Sequence, residues 1–324
     1  MIGGHPLTIH HLAANPETVR RGTLDGRFPP VLTVVSGDTV TIQTLSGHEI
    51  INPPAELGHD IPPAVRAVLS AVAPGMGPHI ISGPVAIAGA EPGDMLEVRI
   101  DRIEPSMDWG FCLFSPLGGT LPGKFQSGDL RFIPIDMEKR TCALPWGPEL
   151  PLAPFFGIMA TAPRLAYGTL STKEPRDFGG NMDNRELVEG STLFLPVWVP
   201  GANFMVGDGH GIQGDGEVCG TALETSLNGT FTFILHKGGG IDAPRLKFPR
   251  AETPTHYLTM GMNEDLDAAM RDALDEMIDL ICERTGWSPG EAYMSCSFAV
   301  DFRVTQTVNG QKGVHGMLRK GLLF

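Results

Sequence analysis

The chain has 324 residues and a net charge of −13, with 37 Asp and Glu against 24 Lys and Arg. That acidity argues against nucleic acid and anionic membranes as partners and suits a neutral or cationic small molecule or a metal ion. Length suggests about two domains, while 42% hydrophobic residues, 41 Gly and 28 Pro describe a soluble protein richer in β structure and turns than in helix. The five cysteines (Cys112, Cys142, Cys219, Cys282 and Cys296) are odd in number, and no two have Cys-x-x-Cys spacing. This is no disulfide framework, and a reducing cytoplasm is the expected location. The first eleven residues lack a signal-peptide pattern. No apolar stretch approaches the roughly 18 residues of a membrane span.

Residues 1–28 hold His5, His10, His11 and the pair Arg20-Arg21. They read as an N-terminal strand or arm with the arginines in solvent. Residues 31–43 alternate apolar and polar on either side of Ser36-Gly37-Asp38, a hairpin pattern. The same kind of turn launches alternating segments at Gly93-Asp94, Gly128-Asp129 and Gly190-Ser191. Repeated turn-launched strands predict a β-sandwich or barrel-like body, with Asp38, Asp94 and Asp129 as turn-formers. A short helix is expected over 64–71 and a strand over 85–88. His79 lies between turn signals, where a lone histidine is more often structural than a ligand. Residues 104–178 carry Trp109-Gly110-Phe111, Pro145-Trp146-Gly147 and Phe155-Phe156-Gly157, which line a pocket or pack as satellite core. Asp183, in Gly179-Gly180-Asn181-Met182-Asp183, is either a turn residue or a carboxylate aimed at a site.

A buried strand over 192–199 then leads to Gly207-Asp208-Gly209-His210-Gly211-Ile212-Gln213-Gly214-Asp215-Gly216-Glu217. Gly-Asp clusters are often plain turns. His210 and Glu217 within one run, with Asp208 and Asp215, point instead to a functional site. The run lacks the Lys-Ser/Thr of a phosphate loop and the spacing of an EF-hand. The chain also lacks a Gly-x-Ser-x-Gly elbow, a His-Glu-x-x-His helix and a dinucleotide Gly-x-Gly-x-x-Gly. Residues 218–223 read as extended, with Cys219 a small buried strand cysteine and not a nucleophile. The remaining donors are oxygen and nitrogen without thiolate, which suits zinc with one open position or a hard divalent ion.

Residues 230–235 form a further strand. From Asn263 to Gly286 the apolar residues Leu266, Met270, Ala273, Leu274, Met277, Ile278 and Ile281 recur at helical spacing, predicting one long amphipathic helix capped by Gly286. Ser288-Pro289-Gly290-Glu291 is a capping box for a shorter helix, and 297–308 alternates as a strand. The fold class is therefore mainly β with an α+β C-terminal part. The expected units are 1–105, an N-terminal β domain; 106–235, a central β-rich region carrying the glycine-rich turn; and 236–324, the α+β part. One compact unit is the alternative.

Several of these segments together resemble the acetamidase/formamidase family. They are Gly179-Gly180-Asn181-Met182-Asp183, Leu195-Pro196-Val197-Trp198-Val199-Pro200-Gly201-Ala202, residues 207–217, Ser82-Gly83-Pro84, Gly89-Ala90-Glu91-Pro92-Gly93-Asp94 and Val308-Asn309-Gly310-Gln311-Lys312-Gly313-Val314-His315. The resemblance runs from about Pro29 to the C-terminus. It implies hydrolysis of a small linear amide, formamide or acetamide, to carboxylate and ammonia, and a homo-oligomer, a dimer. One departure is Arg20-Arg21-Gly22, where the family pattern would carry His-Trp-Gly. Side-chain chemistry then suggests a divalent metal, zinc or alternatively calcium, held by Asp208, His210 and His79, polarising the amide and activating water. Glu217 would move the water's proton to nitrogen, and Asp183 would orient the amide or complete the metal shell. The alternatives are a metal- or ligand-binding β module without turnover, or a related hydrolase acting on another C–N or ester bond.

Overall fold

The computed structural model describes residues 8–240 and 245–324; His5 lies outside them. Nine strands make the larger sheet, in the order Ile9–Leu12, Thr39–Gln43, Leu227–His236, Met95–Pro105, Thr192–Pro196, Arg250–Glu252, His256–Asn263, Lys312–Arg319 and Val300–Gln306. It draws strands from all three stretches of the chain. A second sheet runs Gly179–Asn181, Phe155–Ala160, Phe204–His210, Ile80–Ile87 and Val19–Arg21, with Leu32–Val34 also beside Ile80–Ile87. Alternation along each strand sends one set of side chains inward. Ile42, Val98, Phe231 and Phe233 from the first sheet meet Phe156, Met159, Phe204 and Val206 from the second in one buried core. The Phe204 ring lies 5.6 Å from Phe231 and 5.1 Å from Phe233, bridging the layers. This is the expected β-sandwich body.

Strands Trp109–Phe114, Asp129–Asp136, Thr141–Ala143 and Glu149–Pro151 form a separate antiparallel meander. An isolated bridge from Phe111 to Glu224 ties it to the sandwich. Of the three helices described, α1 spans Pro63–Ala71. The long helix α2, Leu266–Thr285, opens on Asp265, whose side chain accepts from the Ala268 N–H, and ends on Gly286 at φ 75°. It buries Ala269, Ala273, Met277 and Ile281. Gly261, on strand His256–Asn263, lets the helix approach: a Cβ there would stand 2.1 Å from the Ala269 carbonyl oxygen. Helix α3, Pro289–Ala299, carries the complete Ser288–Glu291 capping box. Among the described residues no helix is long and apolar enough to cross a membrane.

Three local expectations need correction. Residues 31–43 do not form a hairpin. Leu32–Val34 joins Ile80–Ile87 in the smaller sheet, whereas Thr39–Gln43 joins Leu227–His236 in the larger. The Ser36-Gly37-Asp38 turn is thus an arch between layers, with Asp38 accepting from the Thr8 and Val35 N–H groups. Residues 297–299 complete α3, and the strand is Val300–Gln306. Residues 218–219 turn where extension was expected, so Cys219 is a half-buried turn residue.

His315, on strand Lys312–Arg319, is fully buried. Its Nδ1 lies 2.7 Å from Thr305 Oγ1, and its Nε2 has no hydrogen-bond partner. Burial, with repulsion from Arg303 and Arg185, lowers its pKa to about 4. The unfolded chain therefore takes up a proton between pH 6.5 and 4 that the folded chain refuses. Stability present above that window is lost as pH falls through it, by about 3 kcal/mol in total. Urea melts of the His315→Gln variant at a series of pH values should show a shallower loss across the window than the parent. An identical slope would remove His315 from this account.

Candidate active site

Strand Phe204–His210 runs into the glycine-rich segment, so Asp208 and His210 belong to a strand and not to a turn. Alternate residues share a face, and the glycines between them meet crowding on the other side. A Cβ at Gly207 would lie 2.5 Å from the Ile80 carbonyl oxygen, and one at Gly209 2.4 Å from that of Thr225. Asp183 follows strand Gly179–Asn181, and Glu217 sits in the turn beyond Gly216. Asp183, Asp208 and Glu217 adopt φ of 48°, 58° and 44°. Non-glycine residues reach this left-handed region at a cost of order 1–3 kcal/mol each, and such strain clusters at functional sites. Here it aims three carboxylates at one point.

His210 Nε2 lies 3.3 Å from Glu224 Oε1 and 3.4 Å from Asp208 Oδ1, and Nδ1 lies 3.9 Å from Asp183 Oδ1. None of these contacts has hydrogen-bond alignment. Both ring nitrogens and Asp183 Oδ1 are buried without a hydrogen-bond partner. Donor atoms of Asp183, Asp208 and His210 lie within 4.8 Å of one another, as do those of His210, Glu217 and Glu224. The edge of the Phe155–His210 pair, centroids 4.9 Å apart at 88°, walls the imidazole. Asn309 Nδ2 donates to Asp183 Oδ2, and Gln213 Nε2 donates to the Asp183 carbonyl at 2.9 Å. Gly157 faces the cluster from the neighbouring strand. A Cβ there would stand 2.3 Å from Asp183 Oδ1 and 2.5 Å from Asp208 Oδ2.

The electrostatics separate the acids. Burial opposes ionisation of Asp208, but His79 and His210 outweigh it and hold the carboxyl below its ordinary range. Burial raises Glu217 well above the usual carboxylate range, and the charges of Asp183, Glu224 and Asp208 add to this. Asp183 and Glu224 are raised too, burial leading in each. Burial disfavours a charged His210, yet the carboxylates of Glu224 and Asp208 prevail and raise the imidazole well above its ordinary value. A cavity of about 480 Å³ opens onto Asp208, Glu217, Glu224 and His79.

The fold thus gathers Asp183, Asp208, His210 and Glu217. His79 is adjacent: its Nε2 lies 3.8 Å from Asp208 Oδ2 and its Nδ1 2.9 Å from Thr172 Oγ1, but its ring stands outside both donor sets. Asp215 is exposed. Glu224 was not foreseen, because it lies in an unpunctuated stretch, Thr221-Ala222-Leu223-Glu224-Thr225, with no glycine to mark it. A backbone bridge to His210 delivers it. Asn309 lay in a family-like segment, but nothing local paired it with Asp183. Cys219 reaches the cavity wall, with Sγ 3.7 Å from Cys112 Sγ. Arg21 is buried, not solvated. It ion-pairs with Glu49 and donates to the Val72 carbonyl, while the Gly22 N–H donates to the His79 carbonyl. Arg21-Gly22 therefore borders the site through backbone.

An acetamidase of Mycolicibacterium smegmatis is 29% identical over 295 residues, covering 67% of this chain and 72% of the relative. A formamidase of Methylophilus methylotrophus is 27% identical over 237 residues, covering 55% and 57%. The crystal structure of an acetamidase from Bacillus halodurans superposes with a TM-score of 0.80 at 29% identity, over 95% of this chain and 97% of that one. The Acetamidase/Formamidase family profile matches residues 27–166 and 161–314, nearly the whole chain. With that coverage, and with this fold, the chain belongs to the Acetamidase/Formamidase family.

Proposed function

We propose that the chain hydrolyses short linear amides, formamide and acetamide among them, to the carboxylate and ammonia. The observation that carries this reading is the convergence of Asp208, Glu217 and Glu224 on one cavity wall beside the buried His210, with the pKa of Asp208 pushed down by His79 and His210 and that of Glu217 pushed up by burial. Carboxyls pushed apart in this way mark acid and base roles. An amide nitrogen leaves only when protonated. Glu217, in its ionised form, accepts the proton that attacking water must lose and delivers it to nitrogen. Asp208, an acceptor at the cavity floor, orients the amide NH₂. Asp183, anchored by Asn309 and Gln213, shapes the floor beside His210.

The donor set suits a divalent cation. Asp183 Oδ1 and both His210 nitrogens are orphaned, and four carboxyls surround a single imidazole. His210, Asp208 and Asp183 would hold the ion, with Glu224, Glu217 or His79 completing the shell. An imidazole among carboxylates favours zinc, with calcium as the alternative. Bound there, the ion would supply Lewis-acid polarisation of the carbonyl and a water of lowered pKa. The five cysteines are free, which suits a reducing cytoplasm, and the family resemblance extends the proposal to a homodimer.

Ammonia release from formamide and acetamide, assayed beside elemental analysis, tests the reading. His210→Ala should lose both metal and turnover, and an active, metal-replete variant would reject the assignment. Cys219→Ser should keep turnover within a few-fold. A loss of thousands-fold would move nucleophilic attack to the thiolate. Gly157→Ala places a methyl among the site oxygens. It should cut kcat/KM by about 100-fold or more, as expected for an ångström-scale displacement, while far-ultraviolet circular dichroism stays that of the parent. Parent-like activity would mean that the oxygens need not converge.

A further inference from the structure

The cavity is larger than its smallest candidate substrates require. Formamide and acetamide have three or four heavy atoms, whereas cavities of about 300–1,000 Å³ accommodate drug-sized ligands, and this one encloses about 480 Å³. Its polarity is graded. Asp208, Glu217, Glu224 and His79 form the floor, and the walls rise through Phe111, Leu113 and Ile51. Towards the mouth stand Ile50 and Leu117, which line the cavity although they are 58% and 82% exposed, together with the polar His48, Ser115 and Lys173. Resting on the amide-hydrolase reading above, we propose that the preferred substrates are primary amides of apolar carboxylic acids. Their acyl groups would have about four to eight carbons, aliphatic or aryl, which is the size that reaches such a mouth from such a floor.

The floor sets the orientation. An amide NH₂ carries two donors and matches a carboxylate-lined end, whereas an N-alkyl group would press carbon against the acids and strip them of hydrogen bonds. The unsubstituted nitrogen therefore points down and the acyl group points out along Phe111 and Leu113. The loop bearing Leu117 is tied to the catalytic turn, because the Thr120 N–H donates to the Val218 carbonyl at 2.9 Å, one residue beyond Glu217. An acyl chain lying against Leu117 thus rests on a segment coupled to the proton-carrying carboxyl. Its burial should appear in kcat and not only in KM.

Ammonia release is measured with formamide, acetamide, butyramide, hexanamide and benzamide on the full chain as purified, without chelator. We expect kcat/KM to climb by about threefold to tenfold per added methylene from acetamide to hexanamide. Leu117→Asp and, in a separate segment, Ile50→Asp should each lower the hexanamide-to-acetamide ratio by about tenfold or more. Ammonia released fastest from formamide or acetamide, falling with each carbon, would overturn the acyl preference and leave the amide reading intact. An unchanged ratio in both variants would overturn the assignment of the mouth. No ammonia from any of the five amides would overturn the amide reading itself, and this inference with it.

Discussion

Four carboxyls converge on one imidazole inside a β-sandwich, and most of what is unusual in this chain serves that crowding. Charges of one sign do not gather in a low-dielectric interior unless something compensates them. Here the compensation is partial. Asp208 keeps its charge because His79 and His210 face it, whereas Glu217, Glu224 and Asp183 are driven towards the protonated form. Among the buried polar atoms left without partners, those on His210 and Asp183 are the ones a bound cation would engage. Such groups are costly to bury and are retained where function needs them.

The scaffold holds this arrangement by steric exclusion as much as by attraction. Gly207 and Gly209 let strand Phe204–His210 lie tight against Ile80 and Thr225, which forces Asp208 and His210 to the open side. Gly157, on the adjoining strand, leaves free the space that the Asp183 and Asp208 carboxylates occupy. Left-handed backbone at Asp183, Asp208 and Glu217 turns each acid inward. The strain is carried by the large interlayer core of Phe156, Phe204, Phe231 and Phe233 next to it. The antiparallel meander that starts at Trp109 then supplies Phe111 and Leu113 as an apolar wall above the acidic residues of the same cavity.

Much of this was legible in the chain. Turns at Gly93-Asp94 and Gly190-Ser191 do launch the strands Met95–Pro105 and Thr192–Pro196, whereas Asp129, expected in a turn, is itself the first residue of Asp129–Asp136 and pairs with Phe114. The apolar stripe and both caps define α2 because helix periodicity and capping are local. Convergence was legible where glycine-rich motifs marked it, at Asp208, His210 and Glu217 and at Asp183 in Gly179-Gly180-Asn181-Met182-Asp183. Glu224 and Asn309 reach the site by long-range pairing, and their neighbours in sequence carry no mark of it. The misread hairpin at 31–43 has the same origin: alternation reports a strand but not its sheet. Arg21 looked like a surface charge because its partner, Glu49, is 28 residues away.

The central claim is that the buried cluster exchanges protons for a single cation. Glu224 and Asp208 raise the proton affinity of His210, and burial raises that of Glu217, so a cation entering the cluster competes with protons for the same atoms. Metal titration of chelator-stripped protein at pH 7, in two buffers of different ionisation enthalpy, reads this directly by calorimetry. The account predicts one zinc or calcium ion per chain and release of about one proton or more on binding, both abolished by His210→Ala. Binding without proton release, or a stoichiometry unaffected by that substitution, would contradict it.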